Sequence, residues 1–364
     1  MSIQADLKKE GIEIIKQLDT EKVNSIASTV SEKLVKAFPE QNIKQQDLLI
    51  KLSKLNMYIA RMPEGTASAK YYYKNSSIYF NENIDLNKID IYAVHECIHY
   101  LQELKDLNGN MIQLGLCDFS NSKLPGMALN EAAVQLMSAI TMQNEEDTVM
   151  YYDISFSTNS PSNYALECNL LKQMAYITGD YALFNSTLYS NNSFKNKFIS
   201  LTDNKSYSII EKYMDKLLML EDDLSSVLIK KESSDEQIDK LNKQAKTIRE
   251  NIKYTYFKIQ NKILTSYFDS NFKTIYTLEQ IDNYRRKLCN FQNLIGTEKN
   301  YNFFNNYYTK KMYELERKHH EIENKVYENE EQNALVPIKE SLFIKLIKKI
   351  KHLLGKKEYE EKYE

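Results

Sequence analysis

Glycine and proline are scarce in this 364-residue chain, at 8 and 5 residues. That scarcity argues against a turn-rich β fold and favours long helices. Cysteine is scarce too: Cys97, Cys117, Cys168 and Cys289 are widely spaced and form no CxxC pair. A chain this long buries enough apolar surface to need no disulfide framework, so reduced thiols in a cytoplasmic setting are the expectation. Neither sign of charge dominates, with 48 basic and 50 acidic residues and a net charge of −2. No global basic field draws in nucleic acid, and none is expected as a partner. No apolar run approaches the ~20 residues that span a bilayer, and Met1–Glu10 lacks the apolar core of a signal peptide. What remains is an ordinary globular composition, 42% hydrophobic and 27% charged, long enough for two domains.

Histidine is the scarce residue that carries information. Of the 5 in the chain, two stand in Ala93-Val94-His95-Glu96-Cys97-Ile98-His99-Tyr100-Leu101. This reads H-E-x-x-H, and chance supplies roughly 0.005 such matches in a chain of this composition. On a helix, residues four apart share a face, so His95 and His99 can hold one metal ion together. Neutral imidazoles suit Zn²⁺, and two of them leave room for a third protein ligand and a water. Glu96 follows the first ligand directly, where a carboxylate can act as general base without binding the metal. Cys97 must point off that face and reads as a small packing residue. Asp85 or Asn87 is the expected cap of the helix, and Asn108-Gly109 its expected stop.

The next helix opens after Leu124-Pro125-Gly126 and carries Asn130-Glu131-Ala132. Glu131 is a lone acid in an apolar stretch, costly there without a partner, and a metal ion is such a partner. Cys117 and Asp118, in the intervening loop, are alternative ligands. A metzincin would need Gly at 102 and His at 105; Gln102 and Lys105 exclude that class. H-E-x-x-H followed by Asn-Glu-Ala on a downstream helix resembles the gluzincin branch of zinc metallopeptidases. The compact layout is also similar to IrrE-type regulator proteases. The resemblance covers about residues 76–142. It implies Glu131 as third zinc ligand, a zincin-like fold, peptide-bond hydrolysis, and a downstream Tyr or His that stabilises the oxyanion. Tyr164, after the Ser160-Pro161-Ser162 turn, is the candidate for that role. Thermolysin-like members carry Asp four residues after the ligand Glu; here Gln135 can make the same hydrogen bond without the charge.

The remaining chain sets the expected architecture, α+β and predominantly α-helical. Ile12, Ile15, Leu18, Val23, Ile26, Val30, Leu34 and Phe38 recur at helical steps, enough for two amphipathic helices. Met57–Met62, Ala69–Tyr73 and Ser76–Asn81 read as short strands, a small sheet whose edge can pair with an extended peptide. Residues 1–203 are the expected zincin-like domain with its N-terminal helices. Residues 204–335 read as a helical, coiled-coil-like region, in which two runs, from Ile210 to Val227 and from Ile238 to Ile259, predict an antiparallel hairpin. A capping-box sequence, Glu232-Ser233-Ser234-Asp235, precedes the second run. Later in this region His319 falls at a packing position and His320 at an exposed one. Residues 336–364 form a basic amphipathic tail that can lie on a membrane surface or dock on a protein. The expected partner is a peptide or protein substrate; the alternative is a non-catalytic zincin scaffold that acts through its helical region and tail.

Overall fold

The computed structural model describes residues 3–63, 68–120, 122–230 and 235–335. The capping-box residues at 232–234 and the basic tail from 336 lie outside them. The fold is α+β and predominantly α-helical, as expected, and it divides into two compact units. Of the described residues, those within 1–274 and 286–307 form the first, and those within 275–285 and 308–335 the second.

The first unit opens with helix α1 (Ile3–Lys9), strand β1 (Glu13–Gln17) and helix α2 (Thr20–Ala37). Here the sequence expectation of two amphipathic helices between Ile12 and Phe38 is corrected. Gly11 takes a left-handed φ of +72° against Pro63, which turns the chain, and the β-branched pair Ile14-Ile15 extends beside the next strand. Only α2 is helical, capped by Asp19, whose side chain accepts from Lys22 N at 2.8 Å. It buries Val23, Ile26, Val30 and Leu34.

Helix α3 (Gln45–Leu52) leads to strands β2 (Asn56–Arg61), β3 (Ala69–Tyr72) and β4 (Ser77–Asn81). Their order in the sheet is β1-β2-β4-β3. Strands β2 and β4 are parallel, while β3 turns back antiparallel to β4 and becomes an edge. Ile78, Tyr79 and Phe80 of β4 are fully buried, so the sheet hangs on its inner strand. Helix α4 (Ile91–Leu101) packs against β3 and β4. A second sheet follows, built from β5 (Glu103–Lys105), β6 (Met111–Leu114) and β7 (Cys117–Asp118).

Helix α5 (Met127–Thr141) is almost wholly buried and packs on α4. After the hairpin of β8 (Asp147–Tyr151) and β9 (Ile154–Thr158) come α6 (Ala165–Thr178), α7 (Asp180–Tyr189) and α8 (Ser193–Leu201). The long helices α9 (Asn204–Leu228) and α10 (Asp235–Phe272) pack along each other. Lys258 donates to Tyr213 Oη at 2.6 Å, far from the connection in both helices, as antiparallel packing requires. Both helices belong to the first unit, with α9 lying on α5 and α10 on α6. Helices α11 (Leu278–Phe291) and α12 (Phe303–Leu335) complete the described chain. No described helix is long and apolar enough to cross a membrane.

Candidate metal centre

Helix α4 begins at Asp90, whose carboxylate accepts from Ala93 N at 2.9 Å. This corrects the expected cap. Asp85 instead accepts from Asn87 N at 3.0 Å, and Asn87 accepts from Lys22 Nζ at 2.8 Å. The expected stop at Asn108-Gly109 is corrected too. The helix ends at Leu101 because Glu103 enters β5, and Asn108-Gly109 lies in the turn between β5 and β6. Helix α5 starts at Gly126, at a φ of +85° and with no capping side chain of its own. The cap comes from α9, where Asp215 accepts from Gly126 N at 3.0 Å and Ala128 N at 2.9 Å.

These two helices bring His95, His99 and Glu131 together. His95 Nε2 and His99 Nε2 are 3.0 Å apart, and Glu131 Oε2 lies 3.3 Å from the first and 3.4 Å from the second. Ligand atoms around a tetrahedral zinc ion stand about 3.3 Å from one another, given bonds of about 2.0 Å. The other ring nitrogens decide what these atoms are. His95 Nδ1 lies 2.9 Å from Gln135 Oε1 and His99 Nδ1 3.2 Å from Gln102 Oε1. Each amide nitrogen is occupied elsewhere: Gln135 Nε2 donates to Ser160 Oγ at 2.6 Å and Gln102 Nε2 to Asn130 Oδ1 at 3.1 Å. The amide oxygens therefore face the rings, both Nδ1 atoms carry hydrogen, and both Nε2 lone pairs point inward. Two lone pairs and a carboxylate oxygen converge with no donor between them, an arrangement that a cation completes. The residues fit Zn²⁺.

Burial pushes the Glu131 carboxyl up, but where protons on His99 and His95 stand in for a cation, their charge and hydrogen bonds outweigh burial and hold the group well below the usual carboxylate range. Glu96 sits beside the cluster. Burial lifts its pKa to about 7, against the pull of His95 and of a hydrogen bond from Tyr71 N at 2.6 Å. Tyr71 stands on the edge strand β3, stacks on His99 with centroids 6.3 Å apart, and donates its hydroxyl to Glu103. Tyr164 opens α6 in a left-handed conformation, φ 52°, with its ring stacked on His95 at 6.0 Å. The Glu131 charge and burial raise its pKa well above the ordinary phenol value. A cleft of about 430 Å³ gives onto Glu96, the two histidines and Glu131, walled by Tyr71, Tyr73 and Phe119.

Cys117 and Asp118, the alternative ligands, stand outside this cluster. Cys117 is buried with Sγ against Leu124 O at 3.6 Å, and Asp118 accepts from Ser120 N at 2.8 Å. Cys97 is fully buried. Among the described residues His319, His320 and Glu323 also converge. There His320 is largely exposed and His319 partly so, and their contacts to Glu323 at 3.5 and 3.2 Å are ordinary neighbours one turn apart on α12. One turn beyond Tyr164, Glu167 is fully buried and faces Glu221 of α9.

The residues missed from sequence are Gln102, Asn130, Tyr71 and Asp215. Gln102 had a readable signal, three residues after His99 on the same helical face. Asp215 had none. No family model, curated protein or solved structure matches this chain.

Proposed function

We propose that the chain is a zinc-dependent peptidase of gluzincin type, with His95, His99 and Glu131 holding the ion. One observation carries this reading: three acceptor atoms converge at ligand spacing while both histidine Nδ1–H groups are committed to amide oxygens. Zn²⁺ bound there supplies an electrophile for the scissile carbonyl and lowers the pKa of water. Glu96 lies next to the ligands in the cleft, placed to take a proton from the attacking water and return it to the leaving amine. The Tyr164 hydroxyl, kept protonated, supplies a donor for the developing oxyanion. Strand β3 borders the cleft as a sheet edge, against which an extended peptide pairs through its main chain. A peptide or protein segment is thus the substrate class.

The test is zinc content per folded chain, measured by elemental analysis. The parent is expected to hold about one zinc, lost in His95→Ala and in Glu131→Ala. A peptide-library digestion then asks for cleavage by the parent and none by Glu96→Gln. A folded parent that cannot be loaded with zinc would overturn the reading.

A further inference from the structure

Both imidazoles present their ring N–H to a carboxamide, and neither meets a carboxylate there. Gln102 is not free to turn: it is locked to Asn130 by reciprocal bonds, with Asn130 Nδ2 returning to Gln102 Oε1 at 3.3 Å, while Gln135 donates Nε2 to Ser160 Oγ at 2.6 Å. Asn130 also accepts from Leu116 N at 3.1 Å, and all four of these polar side chains are buried. An amide oxygen fixes the tautomer and the ring plane as well as a carboxylate does. It lends no negative charge, so the imidazole stays a weaker base and a weaker ligand.

We propose that Gln102 and Gln135 are positioning residues that aim the two ligand nitrogens while withholding charge, which makes this a readily exchanged divalent-cation centre. Its loading then follows the free zinc concentration, and occupancy becomes a means of regulating the site. The inference rests on the metal reading above but not on catalysis. Gln135 is the position where the idea is cleanly tested. In Gln135→Glu the Ser160 hydroxyl rotates from acceptor to donor, so the new carboxylate keeps both neighbours. Gln102→Glu would instead set an oxygen against Asn130 Oδ1.

The experiment titrates zinc into metal-free full-length protein against a competing chromophoric chelator, and follows release of bound zinc to EDTA. Gln135→Glu is expected to bind at least about 10-fold tighter than the parent and to release zinc more slowly. Gln135→Leu and Gln102→Leu are expected to bind about 10–100-fold more weakly. Parent affinity in Gln135→Glu would overturn the inference, and that variant decides alone if a leucine variant does not fold. A folded parent that takes up no zinc overturns the metal reading and this inference together. The expected ranking in a parent that cleaves no peptide upholds the inference while sinking the peptidase.

Discussion

Tyr71 N donates to Glu96 Oε2 at 2.6 Å, so the main chain of an edge strand holds the carboxylate proposed as general base. The bond needs no particular side chain on the strand. It ties the floor of the cleft to its wall.

That bond makes Glu96→Gln an informative change. A glutamine oxygen still accepts from Tyr71 N, but the side chain no longer takes a proton. Zinc content and unfolding midpoint are expected to match the parent, while peptide hydrolysis falls by about 10²–10⁴-fold. Cleavage at the parent rate would move the base elsewhere.

Asp215 caps a helix that has no cap of its own. Asp215→Ala is expected to cost about 1–2 kcal/mol in urea unfolding. Zinc binding should weaken with it, because Glu131 rides on the first turns of α5. Asp215→Asn, which retains one acceptor, should lose less.

Glu167 and Glu221 give a pH dependence. Burial and then the Glu221 charge raise the Glu167 carboxyl well above its ordinary value; burial lifts that of Glu221 to about 7, against hydrogen bonds from Glu167 and Tyr152. Asp222 and the Tyr152 phenol face the same pair. A carboxyl raised on folding holds its proton more tightly in the folded chain. Its stabilisation is full below the ordinary value of 4.5 and is lost as pH rises through the folded value. Stability of the parent should therefore fall, relative to Glu167→Gln, as pH rises above 4.5. Parallel curves for the two proteins in urea would refute this.

Two glycines with left-handed backbone separate strain from collision. A Cβ on Gly109 meets nothing within 4 Å, so Gly109→Ala should cost only about 1–2 kcal/mol of backbone strain. A Cβ on Gly115 would collide with the Asn130 and Gln102 amides. Gly115→Ala should cost more than Gly109→Ala and should also weaken zinc binding, since Gln102 orients His99. Equal effects at the two positions would contradict the role given to the amide pair.

The sequence carried the local chemistry well and the long-range chemistry poorly. Helical spacing sets His95 and His99 on one face, and an acid in an apolar stretch marks Glu131, because both signals lie within a few residues. The three short strands were visible as β-prone runs between turn residues. Their order was not, because the parallel pairing of β2 with β4 depends on which edge the intervening β3 occupies. The segment from Ile12 to Leu18 misled, since its apolar spacing suits a helix and only Gly11 packed against Pro63 reveals the turn. Asp215 and Tyr71 reach the centre through tertiary contacts that leave no periodic trace.

The distribution of the four thiols gives the protein a built-in attachment point. Cys97, Cys117 and Cys168 are buried, and burial raises all three above the ordinary thiol range, while Cys289 on α11 is exposed. A maleimide dye should therefore couple once to each folded chain and four times to each chain in denaturant. The stoichiometry read by mass spectrometry becomes a census of folded and unfolded molecules, and a surface tether or fluorophore can be placed at one known position without engineering the sequence.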